Sequence, residues 1–402
     1  MGRPRSRRFS TIAGALAAVV LIAGCTGGRE STPPTLSTPP TPSGSAPAAQ
    51  ETVRWTELAV GEPVFDGAFE GPFDEVTAGV AHGDGFVLVG RSIAADGTWR
   101  GVVWTSPDGV DWTRAVDGGV GFDGMYIPKV ATDGHRLVAL GWAVPWDGTH
   151  GPYVAWVSDD GVTWQRHDEV DSTDLGRIDV VTIVGSASGF LAWGSKADGH
   201  GSLLRSVDGL AWQTIAYPDA GQADVMSIAP YGDGFLAVGG EHREGLMIGG
   251  PSSAARAWWS PDGQEWLSVG VDGGWSLSGV YPAAAGVFAV GARECSRCVG
   301  PRLAWHSADG RSWSSPGDES ALYPFVASNG SQIAVFDWQG DRSVALSDDG
   351  LTWRKVVAQL PAAEYDAGMI VGSTGVLLLV AKTPVVGGVQ VVHAGVLFLR
   401  GS

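Results

Sequence analysis

The chain has 402 residues, of which 60 are glycine and 18 are tryptophan, a content that fits many short strands joined by tight turns. Its formal net charge at pH 7 is −17, which favours a solvated surface and repels anionic surfaces. Only four lysines are present and no basic stripe could neutralise phosphates, so nucleic acid is not expected as a partner.

The first 24 residues have the composition of an export signal. Four arginines within the first eight residues precede an apolar segment, residues 12–23, that is too short for a membrane span. The segment runs into the sequence LIAGC, residues 21–25, which resembles the lipobox of bacterial lipoproteins. The resemblance implies that residues 1–24 are a lipoprotein signal peptide and that Cys25 is lipidated and becomes the first residue. The alternative is an ordinary secretory signal with a cysteine there by chance.

Residues 25–51 form the next segment, which begins with Cys25 and is rich in serine, threonine and proline. Such a composition cannot bury an apolar core, so we expect a disordered tether. A lipid, a flexible spacer and a folded body together predict an exported protein anchored to the outer face of the bacterial cell membrane. Removal of the leader takes the net charge from −17 to −21, because the leader carries four arginines and no acid.

Residues 52–402 contain a repeated unit of about 50 residues in which short apolar runs alternate with Gly/Asp turns. Each unit reads strand, tight turn, strand, variable loop, strand, turn, strand. The second strand can be counted seven times, from residues 86–89 in the first unit to residues 376–380 in the last. The pattern predicts an all-β fold, a seven-bladed β-propeller of four-stranded antiparallel blades.

In six units the third and fourth strands are joined by a motif that we call the box, Ser-x-Asp-Gly-x-x-Trp. Serine and aspartate side chains can bind local backbone groups, and glycine permits the positive φ of a tight turn. The tryptophan can bury a large apolar surface between neighbouring sheets. The structural box residues are Ser106, Asp108, Gly109, Trp112, Ser158, Asp160, Gly161, Trp164, Ser206, Asp208, Gly209, Trp212, Ser260, Asp262, Gly263, Trp266, Ser307, Asp309, Gly310, Trp313, Ser347, Asp349, Gly350 and Trp353.

The box resembles the Asp-box, or BNR, repeat of sialidase-like propellers, whose pattern is S-x-D-x-G-x-x-W. All six copies in this chain have one residue fewer between the aspartate and the glycine. The resemblance implies a propeller in which the boxes are structural turns on the face opposite an active site. It does not imply a particular activity, because the repeat also occurs in proteins without glycosidase activity.

The seventh unit has neither a box nor a fourth strand. Residues 55–60, WTELAV, read like residues 112–116, WTRAV, which follow the first box as a fourth strand. We therefore predict that residues 52–60 pair with residues 389–399. The N-terminal strand would then complete the last blade and close the ring.

The two remaining classes of connection, strand two to three and strand four to one, lie on one face of a propeller, which we call the variable face. The boxes lie on the other, the box face. The predicted variable loops carry the tentative binding residues Trp99, Trp146, His150, His200 and His242. Histidines near acids could bind a metal or polar ligand, and rim tryptophans could stack on sugars or a partner protein. The favoured alternative is that these are exposed or packing residues without a common focus, and we predict no metal or other cofactor.

Cys295 and Cys298 are the two remaining cysteines of the chain. In an exported protein the C-x-x-C spacing favours a small disulfide within one loop. A thiol-redox site is the alternative for this motif.

Two hypotheses for function follow. The first is a cell-surface lipoprotein whose monomeric propeller binds or scaffolds a ligand, with a glycan or an envelope protein as the expected kind of partner. The second is a sialidase-like carbohydrate-active hydrolase with a divergent active site on the face opposite the boxes. The Phe/Tyr-Arg-Ile-Pro signature of sialidases is not found, since Tyr126-Ile127-Pro128 lacks the arginine. Enzymatic activity is therefore left open, and the binding role is favoured.

Replacement of Cys25 by alanine is expected to abolish lipidation, because the thiol that would receive the diacylglycerol is lost. Metabolic labelling of the host with radioactive palmitate measures this directly. Cys295→Ala is the matched control and should keep the label. A labelled Cys25→Ala protein would contradict the lipoprotein interpretation.

Overall fold

The described part of the chain is built from β-strands. In the computed structural model it comprises residues 58–60, 75–93, 99–115, 121–143, 153–168, 178–196, 201–216, 218, 223–241, 255–292, 303–314, 325–337, 342–357, 360, 365–382, 385–386, 389–390 and 393–401. Within these ranges no helix has the length and apolar character needed to cross a membrane.

Seven four-stranded antiparallel sheets form the blades, and the strand order in space follows the order along the chain in the first six. The strands are β1 (Leu58–Val60); in blade 1, β2 (Glu75–His82), β3 (Gly85–Ile93), β4 (Trp99–Ser106) and β5 (Thr113–Arg114); in blade 2, β6 (Met125–Thr132), β7 (Leu137–Ala143), β8 (Val154–Ser158) and β9 (Gln165–His167); in blade 3, β10 (Ile178–Ser186), β11 (Gly189–Lys196), β12 (Gly201–Ser206) and β13 (Gln213–Ile215); in blade 4, β14 (Ala223–Tyr231), β15 (Gly234–Glu241), β16 (Ala255–Ser260) and β17 (Leu267–Val271); in blade 5, β18 (Ser276–Ala283), β19 (Gly286–Ala292), β20 (Leu303–Ser307) and β21 (Trp313–Ser314); in blade 6, β22 (Phe325–Ser328), β23 (Ile333–Asp337), β24 (Ser343–Ser347) and β25 (Arg354–Val357); and in the last part of the chain, β26 (Tyr365–Val371), β27 (Gly375–Lys382), β28 (Val385–Val386), β29 (Val389–Gln390) and β30 (His393–Gly401).

The predicted seven-bladed propeller is confirmed. The first strand of each blade contacts the first strand of the next blade, and β26 contacts β2, so the inner strands form a closed ring. Closure leaves only the short outer strands as free sheet edges. The apolar side chains of the second and third strands fill the space between neighbouring blades.

The N-terminal strand completes blade 7, as predicted, but in a different register. The sheet order is β1, β30, β27, β26, and Leu58, Ala59 and Val60 pair with Gly401, Arg400 and Leu399. Of the predicted partner range 389–399, residues 393–399 lie in β30, where Leu399 pairs with Val60, whereas Val389–Gln390 pairs with Val385–Val386 in a separate small hairpin. The pairing of residues 52–57 lies outside the described residues.

A bulge near the start of the inner strand recurs in six blades, and it explains a glycine that follows the second apolar run. The register shifts, for example, between Val76 and Ala78 in β2. At Gly90 a Cβ atom would collide with the carbonyl oxygen of Glu75 across the pair. Only glycine allows this close approach of two backbones. The same collision would occur at Gly141, Gly194, Gly239 and Gly291.

Each box forms a turn whose hydrogen bonds are local, as Ser158 to Trp164 illustrate. The Ser158 hydroxyl accepts from the Gly161 N–H at 2.9 Å and donates to Asp160 Oδ1 at 3.0 Å. Asp160 Oδ1 also accepts the N–H groups of Val162 and Thr163, at 2.8 and 2.7 Å. Burial would raise the pKa of Asp160, but these N–H donors and the serine hydroxyl outweigh it, so its pKa is lowered.

The box tryptophans differ in burial. Trp164 and Trp212 are buried, whereas the other four are half-buried. The fully buried tryptophans lie instead on the third strands, two residues before the box serine. They are Trp104, Trp156, Trp258 and Trp305. The core therefore depends on a third-strand tryptophan as well as on the box.

The box glycine fits the preceding blade as well as its own turn. Gly161 has φ +72°, and a Cβ atom there would lie 2.8 Å from Cγ2 of Val87, on the second strand of blade 1. Gly263 and Gly350 make the same type of approach to Leu191 and Phe288. Positive φ and close packing thus both require glycine at this position.

Contacts between neighbouring blades run around the box face and consist largely of hydrogen bonds to turn carbonyls. Side chains of the first three blades bind a turn carbonyl of the following blade: His82 binds Asp159 O at 3.1 Å, Arg136 binds Asp208 O at 3.4 Å and Arg205 binds Asp262 O at 2.6 Å. Blades 5 and 6 are joined by a backbone hydrogen bond from Ala285 N to Asp348 O at 3.0 Å. Blades 6 and 7 are joined by Asn329 and Gly372 O at 2.9 Å, and blades 7 and 1 by Thr374 and Asp84 O at 3.2 Å. Between blades 4 and 5, Tyr231 packs beside Gly310. The box face is therefore used to hold the ring together.

Replacement of Gly161 by alanine should destabilise the protein more than replacement of Gly232 by alanine. Both glycines have positive φ, but a Cβ atom at Gly232 would have no heavy atom within 4 Å. Gly232→Ala should therefore cost about 1–2 kcal/mol from the backbone alone. Gly161→Ala should add about 1–3 kcal/mol from overpacking against Val87. Urea unfolding measures both, and equal losses would contradict the role of Gly161 between blades.

Candidate functional site

Among the described residues of the variable face, the position immediately after the repeated glycine of the second strand differs from blade to blade. Blades 3 to 5 have Ser195, Gly240 and Ala292 there, whereas blades 1 and 2 have the large residues Arg91 and Trp142. The bulge near the start of the inner strand lies at this same end of blades 1 and 2, so the first residues of the inner strand also belong to the variable face. We therefore place the candidate site over blades 1 and 2.

Arg91 is the centre of this site. Its Nε donates to Oε2 of Glu75 at 2.5 Å, and its Nη2 lies 2.5 Å from the same oxygen. The guanidinium lies 4.4 Å from the ring centroid of Trp99 and 5.4 Å from that of Tyr126. Planar stacking of this kind suits arginine and adds about 0.5–2 kcal/mol per contact, depending on desolvation. With 29% of the Arg91 side chain exposed, the group remains accessible from solvent.

An aromatic row connects Arg91 to the core of blade 2. Tyr126 meets Trp142 edge to face with centroids 5.1 Å apart, and Trp142 meets Tyr153 in the same way at 5.5 Å. The Tyr153 hydroxyl accepts the N–H of Val180 at 3.0 Å and so reaches blade 3. Trp142 and Tyr153 are buried, which gives the half-exposed end at Arg91 a rigid support.

Burial and charge act together on the ionisable groups of this region. Burial raises the pKa of Tyr126, and the carboxylate of Glu75 raises it further, while the cation of Arg91 opposes both. Burial also raises the pKa of Tyr153, against the hydrogen bond from Val180. Burial lowers the pKa of Lys129 on the inner strand β6, and Asp179 opposes that shift. Tyr126 and Tyr153 therefore remain neutral hydroxyl groups at neutral pH.

A second feature, the blade 1 cleft, lies at the outer edge of the same face. It has a volume of about 300 Å³ and is lined by Arg100, Gly101, Val102, Arg114, Ala115, Phe122 and Asp123. The cleft exists because β5 ends at Arg114, which pairs with Trp104, whereas the antiparallel strand β4 extends further toward the variable face, as far as its first residue, Trp99. Beyond Ala115, the returning segment takes over the pairing, with Gly101 N–H donating to Phe122 O at 2.9 Å.

The predicted binding residues have separate outcomes. Trp99 was expected in a loop but is the first residue of β4, where it pairs with Ile93 and is half-buried beneath Arg91. The strands extend further than the apolar runs predicted, because Arg91 and Trp99 stabilise the ends of β3 and β4. Trp146, His150, His200 and His242 lie outside the described residues, as do Cys25, Cys295 and Cys298. Within the described ranges, no group of three or more His, Cys, Asp or Glu side chains could hold a metal ion.

Several residues of the site were not among the predicted ones. Glu75, Arg91 and Arg100 lie at strand ends that the sequence placed in or beside loops. An alignment of the repeats with one another could have indicated Arg91, because the residue after the repeated glycine is large in blades 1 and 2 and small in blades 3 to 5. The contact between Arg91 and Tyr126 has no such signal, since it joins two blades.

Comparison with solved structures finds proteins of the same fold. YCF48 bound to a D1 peptide is similar over 89% of this chain and 98% of that chain, with 12% identity and a TM-score of 0.50. An acylaminoacyl peptidase from Pyrococcus horikoshii gives a TM-score of 0.51 at 11% identity over 80% of this chain. This chain spans 50% of that peptidase. At these identities the similarity concerns the fold alone.

A sialidase from Trypanosoma rangeli, in complex with the inhibitor DANA, is a more distant structural neighbour. It is 10% identical over 81% of this chain and 55% of its own, and its TM-score is 0.40. Neither protein-family profiles nor curated protein sequences match this sequence. The relation to sialidases therefore stays a resemblance of the box motif within a propeller fold.

Neutralising Glu75 and neutralising Arg91 should shift the pKa of Tyr126 in opposite directions. Arg91→Gln removes a cation that favours the phenolate, so the pKa should rise. Glu75→Gln removes an anion that disfavours it, so the pKa should fall. Carbon-13 NMR of labelled tyrosines at alkaline pH measures the titration. Tyr231 on the box face is the internal control, and a shift of the same sign in both variants would contradict the arrangement.

Proposed function

We propose that this protein is an exported, lipid-anchored binding module whose variable face holds an extracytoplasmic polypeptide. The proposal rests on a difference between the two faces, of which one joins the blades to one another and the other carries groups accessible to a ligand. Box-face carbonyls accept hydrogen bonds from neighbouring blades, whereas the variable face over blades 1 and 2 carries half-exposed arginine and aromatic groups. The box-face carbonyls that accept these hydrogen bonds are thereby less available to a partner.

The variable face has the features of a recognition surface. Residues that differ between repeats cluster there, while the turns of the box face repeat. Aromatic and arginine side chains are the residue types that dominate binding energy at protein interfaces. Arg91 is held in place by Glu75 and two rings, so little side-chain entropy would be lost when a partner contacts it.

A polypeptide is the favoured ligand class over a sugar. A sugar-binding platform needs an open aromatic face, and the Trp99 ring is covered by the Arg91 guanidinium. The solved YCF48 structure, which holds a peptide, has a fold similar to this chain over nearly its whole length, so a peptide ligand is compatible with such a propeller. The hydrolase alternative is not supported by a particular observation among the described residues.

Site-specific photocrosslinking in the native host tests the proposal. A photoreactive phenylalanine derivative replaces Ala143 or Asp179, both exposed on the variable face. The matched controls are Val162 and Val207, which are 55% and 68% exposed at the box turns. Polypeptide adducts should form from the variable-face positions and not from the box-face positions. Adducts from the box face alone, or from neither face, would overturn the proposal.

A further inference from the structure

We propose that the blade 1 cleft binds the carboxylate group of a polypeptide ligand, either an acidic side chain or a free C-terminus, between Arg100 and Arg114. The inference rests on the proposed function and assigns one part of the ligand. The cleft lies at the outer edge of blade 1, away from the ring axis.

The cleft combines two guanidinium groups with an apolar base. Val102, Ala115 and Phe122 are buried, and Phe122 is fixed against Trp156 with centroids 5.6 Å apart. Arg100 and Arg114 line the same space of about 300 Å³. That volume is at the lower end for ligand sites, so it suits one acidic group of a longer ligand.

The charge balance of the cleft favours an added anion. Arg100 Nε lies 3.2 Å from Asp123 Oδ1, and the two side chains are 50% and 67% exposed. An ion pair so open to water contributes little, so a ligand carboxylate can take its place or bind beside it. The remaining N–H groups of Arg100 and those of Arg114 provide the fork geometry that carboxylates match.

The position of the cleft favours a polypeptide over an acidic sugar. Phe122 is buried, so no open ring is available for stacking on a sugar. The cleft opens beside β5, which has only two residues and forms the outer edge of blade 1. An extended peptide can lie along such an edge and place its carboxylate between the arginines.

Ligand-observed NMR on the full chain, purified in detergent, tests the inference. The probes are N-acetyl-glycylglycine with a free carboxylate, its C-terminal amide, glucuronate and inorganic phosphate. The free peptide carboxylate should bind at least about tenfold more tightly than the amide, as expected for loss of a charged hydrogen-bond partner. It should also bind more tightly than glucuronate or phosphate. Equal binding of the amide, or preference for glucuronate or phosphate, would overturn the assignment.

Variants locate the binding in the cleft. Arg100→Gln and Arg114→Gln should each weaken binding of the carboxylate by about tenfold. Arg400→Gln makes the same charge change at an exposed position outside the cleft and should leave binding within about twofold. Arg114→Lys keeps the positive charge but loses the fork of N–H groups, so it should bind the carboxylate weakly. This variant replaces Arg114→Gln in the test if Arg114→Gln does not fold. Unchanged binding in Arg100→Gln and Arg114→Lys would overturn the inference.

The two proposals fail separately. Adducts on the variable face without binding of the small carboxylate would overturn the carboxylate site and leave the binding module in place. Carboxylate binding without variable-face adducts would support the cleft and overturn the polypeptide-binding function.

Discussion

The contact on which the ring depends is the approach of each box glycine to the preceding blade. At Gly161 the backbone turns with positive φ and comes so close to Val87 that an added Cβ atom would lie 2.8 Å from its Cγ2. The box serine and aspartate hold this turn by bonds to its own N–H groups, so the glycine is presented in one fixed position. Turn geometry and blade packing are therefore satisfied by the same few residues, which explains why the motif can recur six times.

A ring built in this way leaves one face free to vary. Hydrogen bonds to turn carbonyls join six of the seven neighbouring blade pairs on the box face, and changes there would disturb two blades at once. At the opposite end, the glycine under the inner-strand bulge fixes only the backbone, as Gly90 does beneath Glu75. The residue that follows this glycine is small in blades 3 to 5 and large in blades 1 and 2. Of the two large residues, Trp142 is buried in the core and Arg91 is partly exposed, so Arg91 is the one that can contact a ligand.

The sequence was sufficient for features that repeat and insufficient for those that occur once. Seven apolar second strands and six boxes predicted the propeller, and the missing box located the closing strand. The register of Leu58–Val60 was not predictable, because Val389–Gln390, which the apolar pattern assigned to the sheet, pairs instead with Val385–Val386 in a small hairpin. The stacking of Arg91 between Trp99 and Tyr126 was also missed, since it depends on the distance between two blades.

The acidity of the chain limits how the proposed ligand could be recognised. The formal net charge of −17 provides no long-range attraction for an approaching carboxylate, because its field is screened beyond a Debye length of about 8 Å and is repulsive at shorter distances. Attraction must then come from short-range contacts with the guanidinium groups, where geometry decides. A ligand held at the same membrane as the proposed lipid anchor would meet the cleft at high effective concentration, which compensates for the missing steering. For an acidic propeller with the proposed lipid anchor, a weak but geometrically selective site in the blade 1 cleft would therefore be sufficient.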